Sequence, residues 1–113
     1  MSITAREFWE FMERWNVPDA VALELIGFAG KPGKSGKRPR LRLLPSHRQV
    51  AEYLAEIDAA LTVAGQSVNW LHGRNKDLGS KVPIEFMRAE GPAGTDKVLQ
   101  MIHRSALESS LNV

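Results

Sequence analysis

The residues with the most suggestive chemistry lie between positions 27 and 44, in the stretch GFAGKPGKSGKRPRLRLL. Its glycines and its Gly-Lys-Ser triplet are typical of a P-loop, which holds nucleotide phosphates and requires the spacing G-x-x-x-x-G-K-[ST]. Phe28 occupies the position of the first required glycine, and Pro39 prevents the helix whose N-terminus would bind the phosphate. The spacing therefore does not predict a nucleotide site.

The same stretch is strongly basic, with six Lys and Arg residues and no acid. The whole chain has a net charge of only +2, so the excess is local. Basic side chains contact nucleic-acid phosphates, and they also bind acidic protein partners. No recognition helix adjoins the segment and no aromatic residues interleave with its charges, so a solvated loop is favoured and both contact roles stay open. The candidate contact residues are Lys34, Lys37, Arg38, Arg40 and Arg42.

The other reactive residue types form no catalytic or metal-binding pattern. No histidine has a second ligand at helical spacing among His47, His72 and His103. Ser46 and His47 are adjacent, so on a helix they would not face each other as a nucleophile and its base. Glu52 and Glu56 share the polar face of a helix, whereas a catalytic carboxylate pair requires a pocket. We therefore predict that the protein is not an enzyme and uses no metal or cofactor.

Length and composition fit one globular domain. A chain of 113 residues has room for one modest core, and its 43% hydrophobic and 25% charged residues argue against disorder. The absence of cysteine excludes disulfides and fits a reducing compartment. The N-terminal residues MSITAREFWEFMERW do not resemble a signal peptide, and no apolar run approaches the ~20 residues of a membrane span. We expect a cytoplasmic protein without a membrane segment.

The first 27 residues predict two helices. Thr4 and Glu7 have the spacing of a capping box, and helical periodicity gives one apolar face: Phe8, Phe11, Met12 and Trp15. Trp9 lies beside that stripe, which makes it a candidate interface residue because aromatic residues are enriched at binding hot spots. Asn16 would cap a second short helix with Pro18 in its first turn, and Gly27 would end it.

The third predicted helix is the longest. Ser46 and Gln49 form another capping-box pattern, and Gly65 would end the helix. Its apolar stripe recurs at spacings of three and four residues: Val50, Leu54, Ile57, Leu61 and Ala64. Shorter helices are predicted over 67–72, 80–90 and 95–111, and no strand pair is evident.

These elements predict an all-α fold, a compact bundle of about five to six helices with a basic Gly-rich loop between the second and third. The single domain, residues 1–113, comprises N-terminal helices over 1–27, the basic loop over 28–45 and a helical core over 46–113.

From residue 70 onward, a series of short motifs resembles the toxin-binding domain of the Xre/MbcA/ParS antitoxin family. In that family a Trp-Leu pair is followed by Asn, by Leu-Gly and by a Pro with apolar residues and Glu, and a Gly then precedes the final helix. The corresponding residues here are Trp70-Leu71, Asn75, Leu78-Gly79, Pro83-Ile84-Glu85, Gly94, Val98 and Ile102. The long helix from Ser46 takes the place of the helix before the motif, so 46–113 resembles an antitoxin core.

The resemblance implies a bacterial helical antitoxin, usually dimeric, that neutralises a small protein toxin, commonly one that degrades NAD. Two departures from the family pattern favour an alternative. The C-terminus HRSALESSLNV lacks the glycine-ended tail of many members, and the basic stretch lies where a recognition helix is expected. The alternative is an anti-activator that sequesters a transcriptional regulator, such as a quorum-sensing receptor, by blocking its dimerisation or DNA binding. A second alternative is nucleic-acid binding through the basic loop.

Both protein-binding hypotheses require contact surfaces. The aromatic residues of the first helix predict a homodimer, and a Trp-Leu pair on a short helix is typical of either an interface or a core. The candidate protein-binding residues are Phe8, Trp9, Phe11, Trp70, Leu71 and Pro83.

Overall fold

The computed structural model of the protein describes residues 3–27 and 43–111. These residues form five α-helices: α1 (Ala5–Arg14), α2 (Asp19–Leu25), α3 (Pro45–Val63), α4 (Pro83–Glu90) and α5 (Pro92–Leu111). Two short 3₁₀ helices, Val68–Leu71 and Lys76–Leu78, lie between α3 and α4. Within the described ranges there is no strand, only an isolated bridge between Asn75 and Lys81. The predicted all-α fold is confirmed.

The start of α1 follows the predicted capping box. The backbone N–H of Glu7 donates to Thr4 Oγ1 at 3.1 Å, and the Thr4 N–H donates to Glu7 Oε1 at 3.3 Å. Asn16 does not cap α2 as predicted, because it adopts a left-handed conformation (φ 56°) just after α1. Pro18 is the residue at the N-cap of α2, and no side chain caps that helix.

The long helix α3 begins one residue earlier than predicted. Pro45 is its first residue, where the fixed φ of proline suits a helix and its missing N–H costs nothing. Ser46 therefore lies inside the first turn, and its predicted capping role is wrong. The predicted end is confirmed, because Gly65 follows the last residues of the helix in a left-handed conformation (φ 69°).

Side-chain caps shape the segment between α3 and α4. Ser67 Oγ accepts from the Asn69 N–H at 3.3 Å, and Asn75 Oδ1 accepts from the Asp77 N–H at 2.9 Å. Gly79 then reverses the chain at φ 67°. The last two helices differ slightly from their predicted bounds: α4 begins later, at Pro83, and α5 begins earlier, at Pro92.

One hydrophobic core joins the two described ranges. It contains residues of all five helices, and the main helix contacts are those of α3 with α5 and of α4 with α5. The predicted stripe of α3 is buried: Val50, Leu54, Ile57, Leu61 and Ala64. The α1 stripe of Phe8, Phe11, Met12 and Trp15 is also buried.

A polar cluster attaches the end of α1 to the rest of the chain. Trp15 Nε1 donates to Asp58 Oδ1 of α3 at 2.8 Å, and Arg14 Nη2 donates to Asp58 Oδ2 at 2.7 Å. His72 Nε2 lies 2.6 Å from the carbonyl oxygen of Trp15. None of the helices in the described ranges has both the length and the apolar content required to cross a membrane.

Candidate protein-binding surfaces

The three α1 residues predicted to bind a partner lie inside the protein. Phe8, Trp9 and Phe11 are all buried in the core. Their rings contact one another, with centroids 5.2 Å apart for Phe8 and Trp9 and 5.8 Å apart for Phe8 and Phe11. The expectation that these side chains form an exposed aromatic surface is therefore corrected, because their own core covers them. The homodimer stays a prediction, but α1 no longer supplies its reason.

The three candidate residues of the second half differ in their burial. Leu71 and Pro83 are buried, and Pro83 occupies the first position of α4. Trp70 is half-buried against the core, so it keeps an exposed edge on the turn that packs against α4. Of the six predicted protein-binding residues, Trp70 alone remains accessible to a partner.

The predicted basic contact residues Lys34, Lys37, Arg38, Arg40 and Arg42 lie outside the described residues. The role of the basic loop in contacting nucleic acid or an acidic partner therefore stays a prediction.

A surface depression beside α4 combines an aromatic ring with basic side chains. It has a volume of about 510 Å³, and its lining contains two cations and two acids: Arg74, Ser80, Lys81, Val82, Glu85, Phe86, Ala89 and Glu90. Phe86 is half-buried, and the ammonium groups of Lys81 and Lys97 lie 5.9 and 5.6 Å from its ring centroid. Neither lysine pairs with a carboxylate of the described residues. We call this site the Phe86 depression.

Arg88 holds α4, which carries Phe86, against α2. Its guanidinium Nε donates to Glu24 of α2, and Nη1 lies 3.6 Å from Glu85 on its own helix. The hydrogen bond to Glu24 and the charge of that carboxylate raise the pKa of Arg88 above its usual value. The same guanidinium also engages Glu85 at the edge of the depression.

A second exposed site lies where the C-terminal halves of α3 and α5 run side by side. This α3–α5 groove has a volume of about 590 Å³. Ala59, Ala60 and Ala106 line it with small side chains, while Val63 and Leu107 stand 66% and 60% exposed. Glu56 of α3 and His103 of α5 complete its lining.

The histidines are distributed over separate environments. His47 lies in the first turn of α3, His72 contacts the Trp15 carbonyl, and His103 lines the α3–α5 groove. No group of three His, Asp or Glu side chains in 3–27 and 43–111 is placed to hold a metal ion.

Fold and surfaces together describe a small all-α protein whose described residues include these two exposed, partly apolar sites. No protein-family model, no curated protein and no solved structure matches this chain.

Sequence reasoning missed the residues that line both sites. Val63 and Leu107 are large apolar residues that lie off the buried stripes of their helices, which is the signal that singled out Trp9. Their position off these stripes is the signal in the sequence that could have identified them. Phe86 and Lys97 are separated by eleven positions, and only the packing of α4 on α5 brings them together.

Proposed function

We propose that this protein is a non-enzymatic bacterial regulator that acts by binding another protein, as an antitoxin neutralises its toxin. The Phe86 depression carries this proposal, because accessible aromatic rings are enriched in binding surfaces and the lysines beside this ring can pair with acids of a partner. Glu85 of the antitoxin-like motifs lines the depression, together with Ser80, Lys81 and Val82, which lie between the Leu78-Gly79 and Pro83 motifs. The proposal includes a cytoplasmic location and no cofactor.

The chemistry of the depression specifies the kind of partner. Arg74 and Lys81 line the depression and Lys97 lies over the Phe86 ring. The lining also contains two acids, Glu85, which Arg88 engages, and Glu90. A partner segment with an apolar side chain and adjacent carboxylates would bury the ring and neutralise the lysines. Aromatic anchors surrounded by charges that set specificity are common in protein interfaces.

The test is co-expression of the chain with the protein encoded by the adjacent gene, followed by affinity capture. We expect a stoichiometric complex, and restored growth if the neighbour is toxic. The double substitution Lys81→Glu/Lys97→Glu should abolish capture, because it places acids beside the partner's acids. Arg6→Glu/Arg48→Glu, an equal change of charge at exposed positions of α1 and α3, is the matched control and should leave the complex intact.

The result also distinguishes the two kinds of partner. Capture of a transcriptional regulator in place of a toxin would identify an anti-activator that uses the same surface. Failure to recover any stoichiometric protein, with variants that remain folded by circular dichroism, would refute partner binding.

The distribution of charge favours nucleic-acid binding as a second candidate. Six of the fifteen basic residues and none of the thirteen acids lie between positions 28 and 42, so the rest of the chain has a net charge of −4. A duplex DNA titration at low salt tests this role. Binding should weaken steeply with salt and disappear when Lys34, Lys37, Arg38 and Arg40 are replaced by Ala.

A further inference from the structure

A second depression adjoins the Phe86 depression, between α5 and the second 3₁₀ helix. It has a volume of about 390 Å³, and we call it the Met101 depression after one of its lining residues: Asp77, Lys97, Gln100, Met101 and Arg104. Lys97 joins the two depressions, because it lines this one while its ammonium group lies 5.6 Å from the centroid of the Phe86 ring. A bound segment that covers Phe86 and continues past Lys97 therefore reaches the Met101 depression.

The Met101 depression combines an apolar side chain with cations, as the Phe86 depression does. Met101 is half-buried against the core, like Phe86. Lys97 precedes Met101 by four residues and Arg104 follows it by three, so on α5 both cations neighbour the methionine. The two cations are exposed and lie ~10 Å apart along the helix axis. Lys81 and Lys97 thus flank the first apolar side chain, and Lys97 and Arg104 flank the second.

The cations of the Met101 depression are available to another molecule. Lys97 and Arg104 form no ion pair within the described residues. Among the described residues that line this depression, Asp77 is the one acid, and its carboxylate forms no ion pair there either. Two cations against one acid attract carboxylates of a partner, provided that the partner places none of them beside Asp77.

The same features favour a protein segment over a single-stranded nucleic acid. A nucleic acid has a phosphate at every nucleotide, so one that followed this surface would approach Asp77. Its bases would also stack on an open aromatic face, whereas the ammonium groups of Lys81 and Lys97 already lie 5.9 and 5.6 Å from the centroid of Phe86. A protein segment can place apolar side chains at Phe86 and Met101 and carboxylates only beside the cations.

We infer that the partner binds both depressions through one continuous acidic segment, with an apolar side chain at Phe86, another at Met101 and carboxylates that pair with Lys97 and Arg104. The inference rests on the proposed function, and it adds a second contact region and the chemistry of the partner segment. Arg104 and Asp77 then determine specificity with opposite signs, because Arg104 attracts the segment and Asp77 repels it.

A charge series tests the contact with the Met101 depression. The quantity measured is the Kd of the purified chain for the protein that it captures on co-expression, the product of the adjacent gene, by titration calorimetry. Arg104→Glu should raise the Kd by at least ~5-fold, and Asp77→Asn should lower it by ~2–5-fold, the effect of one exposed charge pair. Both positions are exposed, so the variants should fold. Arg48→Glu and Glu56→Gln make the same charge changes at exposed positions of α3 and should keep the parent Kd.

Photo-cross-linking tests whether one segment covers both depressions. Benzoylphenylalanine is placed at Ala89, which lines the Phe86 depression, or at Gln100, which lines the Met101 depression, and both positions are exposed. The two cross-links should fall within one continuous stretch of the partner that is rich in Asp and Glu. Cross-links to stretches that are separated in the partner's sequence would overturn the single segment.

The outcomes distinguish failure of the inference from failure of the proposed function. If the parent chain captures no stoichiometric protein, the proposed function is refuted and the inference with it. If the parent binds and Lys81→Glu/Lys97→Glu abolishes the complex, but Arg104→Glu and Asp77→Asn keep the parent Kd, only the inference is overturned. Binding of a fluorescein-labelled oligo-dT of ~20 nucleotides that is lost in Arg104→Glu would overturn it in favour of single-stranded nucleic acid.

Discussion

The carboxylate of Asp58 links α1 to α3, so its replacement should lower the free energy of unfolding by a specific amount. In Asp58→Ala the indole N–H of Trp15 loses the acceptor that lies 2.8 Å away, and Arg14 loses its ion pair. Trp15 is fully buried, so its N–H has little access to water once the carboxylate is removed. The substitution therefore leaves a buried donor without a partner, which is more costly than the loss of an exposed contact.

The expected loss of stability in Asp58→Ala follows from the solvent exposure of the Asp58 and Arg14 side chains. A hydrogen bond to a charged group contributes ~1.5–3 kcal/mol, and the 30% exposure of the Asp58 side chain places this one near the lower end. The Arg14 side chain is 58% exposed, so its ion pair adds at most ~0.5 kcal/mol. Alanine has a higher helix propensity than aspartate, which offsets ~0.5 kcal/mol of this loss of stability. The net expectation is a loss of ~1.5–2 kcal/mol in the free energy of unfolding, or ~6–8 °C in Tm.

Two companion variants separate the contributions. Asp58→Asn keeps an oxygen acceptor for the indole and should lose at most ~1 kcal/mol, while Arg14→Ala should lose less than ~0.5 kcal/mol. Urea unfolding followed by circular dichroism gives the free energies, and hydrogen exchange of the Trp15 indole proton reports the bond directly. If Asp58→Asn is as unstable as Asp58→Ala, or if Arg14→Ala accounts for the whole loss, the indole bond does not have the assigned role.

Three further changes are tested by the same unfolding measurement. Gly94→Ala should destabilise the protein by ~1–2 kcal/mol because its new Cβ would lie 2.5 Å from Glu90 Cβ. Gly73→Ala is the control and should be neutral, because the nearest atom to its new Cβ lies 3.6 Å away. Equal effects of the two substitutions would contradict the steric argument. Thr4→Ala should cost ~1 kcal/mol through loss of the α1 cap, and an unchanged stability would mean that the capping box does not stabilise α1. Gly79→Ala should cost ~1–2 kcal/mol because alanine disfavours φ 67°, and no loss would show that the turn relaxes to another conformation.

The helices were predictable where the determining interactions are local. The Thr4–Glu7 box and the glycine after α3 act over a few residues, so their consequences can be read from spacing alone. The start of α3 was wrong because two local signals competed. Pro45 fits the first position of a helix as well as Ser46 fits a cap, and the structure places the proline inside the helix.

The binding residues were less predictable because burial depends on what lies opposite each helix. The periodicity of α1 gives the direction of its apolar face but not its width, and Trp9 is covered together with the central stripe. The width of the buried face is also not given by the periodicity of α3 and α5, and there the fold leaves the apolar residues Val63 and Leu107 exposed. A stripe of apolar residues predicts that a helix packs, whereas the edge of the packed area is a property of the whole bundle.

The motifs that resemble an antitoxin act here as structural elements, which limits what they imply about binding. Asn75 caps the turn that follows it, its backbone N–H donates to the Lys81 carbonyl, and its own carbonyl accepts from the Ser80 N–H. Gly79 supplies the left-handed residue. Pro83 begins α4, and Gly94 permits the close approach of α5 to α4. Another chain with these residues would be expected to make the same turn while presenting other side chains around it. Partner choice must therefore depend on residues that the motifs do not specify, and substitutions at Lys81 and Lys97 test function more directly than substitutions within the motifs.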